Sequence, residues 1–135
     1  MFDLNTRILV VDDAQISRKI IIEACQKLGF TKFIEASDGR AAWQALTADS
    51  SIGLIMADWM MPILSGIELL KKVRSDNQYK NLPFIMLTIE SEQKSMMDAI
   101  MAGVTGYIIK PFTVDILREK LETLFLSQES SSEPV

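Results

Sequence analysis

Short apolar runs alternate with longer amphipathic stretches along most of the chain. In the stretch after the first run, Ile16, Ile20, Ala24 and Leu28 recur at the spacing of a helix. The pattern predicts five strands, at residues 8–11, 31–36, 52–57, 82–87 and 105–110. It also predicts five helices, at residues 14–28, from 37 or 38 to 48, at 64–74, at 91–102 and at 114–126.

Glycine, proline and helix-capping residues support these boundaries. Gly29 and Gly103 stand where a glycine commonly ends a helix. Ser37 or Asp38 can cap the second helix. Pro83 stands at the start of the fourth strand, where a missing N–H is tolerated.

Strict alternation of strands and helices predicts an α/β fold with a parallel sheet covered on both faces. The nearly continuous apolar strands agree, because such strands are buried on both sides. Right-handed crossovers then limit the topologies to doubly wound forms. In a doubly wound sheet of strand order 2-1-3-4-5, the first and third strands are neighbours at the switch point. A length of 135 residues predicts one domain, at residues 1–126, and the polar residues 127–135 predict a disordered tail.

Composition excludes several classes of function. The chain contains no histidine, which rules out histidine catalysis and histidine-ligated metals, and its net charge of -4 argues against nucleic-acid binding. No apolar run approaches the roughly 18 residues of a membrane span, so no membrane association is expected. With the single Cys25 and no recognisable signal peptide, a reducing, cytoplasmic location is predicted.

Polar residues fall at the carboxyl ends of four predicted strands. Asp12 and Asp13 follow the first strand, Asp58 the third, Thr88 ends the fourth and Lys110 the fifth. Ligands bind at this edge of open parallel sheets. Any one of these residues could be a local cap, but three converging acids are hard to explain in that way. Carboxylates about 4 Å apart repel by about 4 kcal/mol at an effective dielectric near 20, so a cation or a function is expected there.

Oxygen ligands without histidine or thiolate suit Mg²⁺. With the metal bound, Asp58 becomes a candidate nucleophile that accepts a phosphoryl group. Such a transfer depends mainly on positioning and charge neutralisation, to which Thr88 and Lys110 can contribute.

The ordered motifs "ILVVDD", "DWMMP", "LT" and "GYIIKPF" resemble the receiver domains of bacterial two-component response regulators. The likeness extends over about residues 7–125 and is nearest to the stand-alone CheY-type chemotaxis regulators. It implies a flavodoxin-like (βα)5 receiver fold with strand order 2-1-3-4-5, phosphorylation on Asp58 and contacts of Thr88 and Lys110 with the phosphoryl group. It also implies that Mg²⁺ is held by Asp13, Asp58 and the backbone carbonyl of Trp59, with Asp12 acting through water.

The same resemblance assigns further roles. Tyr107 is similar to an aromatic residue that couples the site to the fourth and fifth helices, and Lys110-Pro111 to a cis peptide. Glu90 is retained, whereas Ile89 stands where a small residue is usual and Met60 where motor-type members have Asn. We expect Met60 and Ile89 to slow phosphoryl turnover.

The output surface is predicted on the fourth and fifth helices. The fourth helix carries Met96, Met97 and Met101. Methionines at helical spacing more often fill a core, but flexible methionines also suit partner surfaces, and Met96 is the candidate contact. Lys120 matches a basic position of motor-switch binders, whereas the other two positions carry polar residues, Gln93 and Thr123.

The leading hypothesis is a phosphorylation-switched signalling module, not a turnover enzyme. It predicts a monomer that accepts phosphate from a CheA-like histidine kinase and signals to a protein target, with the flagellar motor switch as one candidate. A phosphorylation-independent adaptor or a phosphate sink on the same fold is the alternative. A phosphohydrolase is disfavoured because Met60 replaces the second acid, and a flavodoxin-like cofactor binder because "DDAQ" would repel a phosphate.

Overall fold

Residues 3–132 are described by the computed structural model, with side chains to residue 126. They form alternating strands and helices, as the hydrophobic pattern predicted. The elements are β1 (Arg7–Val11), α1 (Gln15–Lys27), β2 (Lys32–Ala36), α2 (Gly39–Ala48), β3 (Ile52–Ala57), α3 (Gly66–Ser75), β4 (Phe84–Thr88), α4 (Gln93–Met101), β5 (Gly106–Ile109) and α5 (Val114–Ser132).

The strands form one parallel sheet of order β2-β1-β3-β4-β5, which confirms the predicted doubly wound topology. Because all strands run in the same direction, their carboxyl ends lie along a single edge. β1, β3, β4 and β5 are consecutive in the sheet. Residues that directly follow these four strands are therefore brought to one side of the molecule.

The core consists of two apolar layers, one on each face of the sheet. Along β3, Leu54 and Met56 face the layer that contains α1 and α5. Ile55 and Ala57 face the layer that contains α2 and α3. These side chains are completely buried, and full burial of a large aliphatic side chain stabilises a fold by about 1.5–3 kcal/mol. The two layers hold the carboxyl edge of the sheet in place.

Two helix starts are fixed by side-chain caps. Asp38 accepts a hydrogen bond from the amide of Ala41 at 2.7 Å, so it is the cap of α2. At α3, Ser65 and Glu68 form a reciprocal capping box. This motif starts α3 at Gly66, two residues later than the pattern predicted.

The end of α5 differs from the prediction. The helix was expected to end at residue 126, with a disordered tail over 127–135, but it continues to Ser132. No glycine or proline interrupts residues 127–132, and polar residues such as Gln and Glu are compatible with a helix. Residues 133–135 lie outside the described residues, and the domain limits 1–126 stay a prediction. None of the helices within residues 3–132 has the length and apolar composition that crossing a membrane requires.

Candidate phosphoacceptor and metal site

The ends of β1 and β3 bring two acids together. The strands pair in register, with Val11 opposite Ala57. Beyond that pair, the amide of Asp58 donates to the carbonyl of Val11 at 3.0 Å, and the amide of Asp12 donates to the carbonyl of Ala36 at 3.1 Å. The backbone ladder thus continues one residue past each strand and positions both carboxylates at the same edge.

Asp12, Asp13 and Asp58 form an acidic cluster. One carboxylate oxygen from each lies within 4.8 Å of the others. Asp12 is buried, Asp58 is half-buried and Asp13 is exposed, so the cluster opens to solvent on one side. The predicted convergence of the three acids is therefore confirmed, in an arrangement of oxygen ligands that suits Mg²⁺.

Lys110, the residue that follows β5, supplies a positive charge to this cluster. Its Nζ lies 2.6 Å from Asp12 Oδ2 and 3.5 Å from Asp58 Oδ2. It also donates to Ser17 Oγ at 2.9 Å. The backbone amide of Lys110 is fixed by the carbonyl of Thr88 at 2.9 Å, which extends the β4–β5 ladder to the site. The lysine is thus placed between two carboxylates that come from different strands.

The charge of Asp12 is maintained despite its burial. Burial by itself raises the pKa of this carboxyl group. Hydrogen bonds from Lys110, Ser17 and the amide of Ala14 outweigh that effect and leave the pKa of Asp12 below its ordinary value. The Ser17 hydroxyl donates to Asp12 Oδ2 at 2.6 Å. Asp12 is consequently an anion whose oxygens are already held by the protein.

The residue pair Ser17–Arg18, at the start of α1, was missed by the sequence reasoning. Arg18 donates from Nη1 to the carbonyl of Asp12 at 2.7 Å and pairs through Nε with Glu35 at 2.9 Å. The Arg18 side chain therefore holds the backbone carbonyl of Asp12 in position. The available signal was positional: both residues lie about one helical turn beyond the aspartates, where helix side chains point back toward the preceding turn.

The two carboxylate oxygens of Asp58 have different surroundings. Oδ1 accepts a hydrogen bond from the amide of Trp59 at 2.7 Å, whereas Oδ2 faces Lys110. The carbonyl oxygen of Trp59 accepts a hydrogen bond from the amide of Gly66 at 2.9 Å. A carbonyl oxygen has two lone pairs, so the second lone pair of Trp59 is available for the predicted bond to the metal. A Cβ atom at Gly66 would collide with the carbonyl of Asp58, so the close approach of these backbones requires glycine. That Trp59 is a metal ligand stays a prediction.

Thr88 and Tyr107 are linked through Glu90. The fully buried Thr88 accepts a hydrogen bond at Oγ1 from the amide of Glu90 at 3.2 Å. The Tyr107 hydroxyl donates to the carbonyl of Glu90 at 2.6 Å. Burial raises the pKa of Tyr107, and the charges of Glu90 and Asp58 raise it further, which keeps the phenol protonated as a donor. The Lys110-Pro111 peptide is cis, as the resemblance implied.

The two predicted modulators of turnover border different depressions. Met60, 60% exposed, lies at a depression of about 530 Å³ that it shares with Asp13 and Trp59. Ile89 is 70% exposed and lines a separate apolar depression of about 300 Å³ beside Lys110. Met60 thus borders the acidic cluster and Ile89 lies beside Lys110, and their effect on turnover stays a prediction.

The methionines of α4 are only partly explained by packing. Met96 is half-buried. Met97 and Met101 are 49% and 81% exposed, so the expectation that they fill the core is wrong. They lie on the outer face of α4, on the side away from the buried Ala99. Lys120, on α5, is exposed. The predicted output surface is therefore accessible, although no contact in the structure tests its role.

Comparison with known proteins identifies the family of the chain. The chain matches the response regulator receiver domain family over residues 8–122. It is 42% identical over 118 residues to chemotaxis protein CheY1 of Helicobacter pylori. The matched region covers 87% of this chain and 95% of that protein. It is also 42% identical to chemotaxis protein CheY of Pseudomonas aeruginosa, over 88% of this chain and 95% of that one. Among solved structures, Vibrio cholerae CheY4 superimposes with a TM-score of 0.80 at 31% identity, over 89% of this chain and 98% of that chain.

A doubly wound fold with an acidic cluster and a lysine at its carboxyl edge is the arrangement expected of a phosphoacceptor signalling domain. The family match is more specific: the chain belongs to the response regulator receiver domain family. The predicted CheY-like receiver domain of two-component signalling is thereby confirmed.

Proposed function

We propose that the chain is a chemotaxis response regulator that is phosphorylated on Asp58 by a histidine kinase in a Mg²⁺-dependent reaction. One observation carries this proposal above the others. Asp58 is a half-buried carboxylate whose Oδ2 lies 3.5 Å from Lys110, within a cluster of three acids. The names of the curated relatives support the assignment to chemotaxis.

The acidic cluster fits a hard divalent cation. Asp13 and Asp58 would hold Mg²⁺ together with the backbone carbonyl of Trp59, and Asp12 would act through water. The donors are all oxygens, and Lys110 offsets only part of the charge of three carboxylates. When bound, Mg²⁺ would neutralise charge on the phosphoryl oxygens.

Asp58 Oδ2 is the proposed nucleophile, because Oδ1 is occupied by the amide of Trp59. A phosphohistidine presents its phosphorus to Oδ2, a P–O bond forms, and the P–N bond breaks. The imidazole nitrogen keeps the electron pair of that bond and takes a proton from solvent. Lys110 and the hydroxyl of Thr88 would then stabilise the phosphoryl oxygens of the mixed anhydride.

The signal is proposed to leave the site through Glu90. A phosphoryl oxygen that recruits the Thr88 hydroxyl would alter its contact with the Glu90 amide, and Tyr107 is bonded to the carbonyl of the same residue. Phosphorylation would thereby favour one arrangement of the surface that includes Met96 and Lys120. The partner has to bind the two arrangements with different affinity, since otherwise nothing switches.

The proposal includes a CheA-like kinase as donor and a protein target as receiver of the signal, with the flagellar motor switch as the candidate target. It describes a monomeric, cytoplasmic switch and not a turnover enzyme.

Acetyl phosphate and Mg²⁺ test this proposal, with intact-mass spectrometry of the full chain as readout. We expect one added phosphoryl group in the wild type and none in Asp58→Asn. Asp98→Asn, which removes an exposed carboxylate on α4, is the matched control and should be modified like the wild type. If the wild type gains no phosphoryl group, the proposal fails and the phosphorylation-independent adaptor takes its place. If the wild type is phosphorylated but its phosphorylated form binds no partner more tightly than the unphosphorylated form does, the phosphate sink replaces the proposal.

A further inference from the structure

The loop between β3 and α3 contains a strained residue. Ile63 has φ of 70°, the only positive φ of a non-glycine residue within residues 3–132. The amide of Leu64 donates to the carbonyl of Pro62 at 2.7 Å, across Ile63. A three-residue turn with positive φ at its centre is rare and strained, and a β-branched residue is among the least suited to it. Asn or Gly would adopt this conformation at lower cost.

Neighbouring contacts hold the loop in this conformation. The amide of Gly39, at the start of α2, donates to the carbonyl of Leu64 at 3.1 Å. A Cβ atom at Gly39 would collide with that carbonyl, so α2 and the loop are in direct backbone contact. On the other side, Ser65 is fixed by its capping box with Glu68. Strain of this kind persists only where the surroundings over-determine it, and it concentrates at functional segments.

The strain is not explained by burial of the Ile63 side chain. Ile63 is 72% exposed. Ile63 is unfavourable for the backbone and contributes little to the core. Its exposed side chain is therefore available for contact with another molecule.

Ile63 borders a groove between α2 and α3 that we call the basic groove. It has a volume of about 320 Å³ and is lined by Arg40, Trp43, Gln44, Ile63, Leu64 and Lys72. Trp43 is fixed from one side by Tyr79, in an edge contact with ring centroids 5.9 Å apart. Lys72 Nζ lies 4.9 Å from the centre of the Trp43 ring. The floor of the groove is therefore a rigid aromatic and aliphatic surface.

The charge of the groove is opposite to that of the whole protein. Arg40 and Lys72 are both exposed, and no acidic residue lines the groove. Neither cation forms an ion pair with a carboxylate of residues 3–132. The chain as a whole carries a net charge of -4. Two cations that pair with no carboxylate of the described residues, beside an apolar floor, complement a segment that combines carboxylates with a large apolar side chain.

We propose that the basic groove docks an acidic segment of another protein, with one large apolar side chain seated against Ile63 and Trp43 and flanking carboxylates paired with Arg40 and Lys72. A protein segment fits better than a nucleic acid, because two cations on an acidic domain provide little attraction for a polyanion. The surface lies on α2, α3 and the loop between β3 and α3, apart from α4 and α5. It therefore offers a binding site separate from the predicted output surface.

Selection of random dodecapeptides displayed on phage tests the proposal. The full chain is the target, and the double variant Arg40→Glu/Lys72→Glu is used for counter-selection. We expect the enriched peptides to contain at least two acidic residues around a Leu, Ile, Phe or Trp. No enrichment over the counter-selected variant, or enrichment of neutral or basic peptides, would overturn the proposal.

Binding of an enriched synthetic peptide then locates the site. We expect amide shifts in NMR spectra confined to residues 40–44 and 63–72, and affinity weakened roughly tenfold or more in Arg40→Glu/Lys72→Glu. The matched control Lys19→Glu/Lys94→Glu changes the net charge equally, at exposed lysines on α1 and α4, and should bind like the wild type. Shifts elsewhere, equal weakening in both double variants, or displacement of the peptide by single-stranded DNA would each contradict the assignment.

Ile63→Asn separates the two roles of the strained residue. Because Asn tolerates positive φ, we expect a higher melting temperature than that of the wild type. We also expect weaker peptide binding, because the apolar contact is lost. A variant that is more stable and binds the peptide unchanged would remove Ile63 from the docking surface.

Discussion

Lys110 and Asp12 are 98 residues apart in the sequence, yet their charged atoms lie 2.6 Å apart. The same ammonium group is 3.5 Å from Asp58. The lysine therefore offsets part of the charge of the acidic cluster, and we expect it to compete with an incoming cation for the same carboxylates.

This competition predicts the effect of Lys110→Met on metal binding. Removal of a positive charge beside the cluster should raise the affinity for Mg²⁺, on the order of several-fold, because like charges a few ångströms apart repel. Quenching of Trp59 fluorescence during a Mg²⁺ titration measures the affinity. The exposed Lys94→Met provides the control and should leave the affinity unchanged. Weaker Mg²⁺ binding in Lys110→Met would contradict the competition.

Ser17→Ala tests the hydrogen bond that connects α1 to the cluster. The variant removes the hydroxyl group that donates to Asp12 and accepts a hydrogen bond from Lys110. We expect a loss of about 1–3 kcal/mol in the free energy of unfolding, because a buried carboxylate loses a partner. Ser75→Ala, which removes an exposed hydroxyl bonded only to a helix carbonyl, should cost much less in the same urea denaturation experiment. Equal losses would mean that the Ser17 network adds no stability.

Tyr107→Phe tests the link between Thr88 and β5. Loss of the hydroxyl leaves the carbonyl of Glu90 without its 2.6 Å donor. We expect faster hydrogen exchange of the amides in residues 89–92, while the core amides of β4 exchange as in the wild type. Tyr79→Phe is the control, because its hydroxyl forms only a long bond of 3.4 Å to Leu46. Unchanged exchange at 89–92 would argue against coupling through Tyr107.

Ile89→Ala tests the predicted modulation of phosphate lifetime. Ile89 flanks Lys110 at the edge of the site, and a smaller side chain should admit water to the mixed anhydride. We expect faster phosphate loss than in the wild type, measured after removal of acetyl phosphate, and faster loss also in Met60→Asn. Ile116→Ala, a similarly sized change on α5, should not alter the lifetime. Equal lifetimes in Ile89→Ala and the wild type would remove Ile89 from the list of modulators.

Cys25 is predicted to be unreactive in the folded protein. It is completely buried against Met56, and burial raises the pKa of its thiol to about 12. The thiol is thus favoured in the folded state. The stability that it contributes is fully present below the ordinary pKa of 9.0 and is lost as the pH rises toward 12. Reaction with a thiol reagent at neutral pH should therefore follow unfolding. Rapid labelling without denaturant would contradict this.

The hydrophobic pattern predicted the strands because the central strands β1, β3 and β4 are buried on both faces, so their apolar residues are nearly continuous. It also predicted where Asp12, Asp13 and Asp58 meet, since parallel strands end at one edge. Contacts between distant elements were harder to predict. Ser17 and Arg18 look like ordinary polar residues of a helix start, and only the packing of α1 beside β1 reveals their bonds to Asp12.

Two further features that the sequence did not predict have local physical causes. The sequence indicated that Met97 and Met101 fill a core, because helical spacing cannot tell which face of a helix is turned inward. The positive φ of Ile63 could not be predicted either, since a β-branched residue is the least expected type at that conformation.

The position of Lys110 after the last strand of the sheet has a consequence for biosynthesis. At roughly 5–20 residues per second, a ribosome would add this lysine on the order of 5–20 s after Asp12. Until then, the nascent chain carries three acids without the lysine that lies among them in the folded protein. Because β5 is the last of the five strands to be made, the carboxyl edge of the sheet stays incomplete until Lys110 has been added.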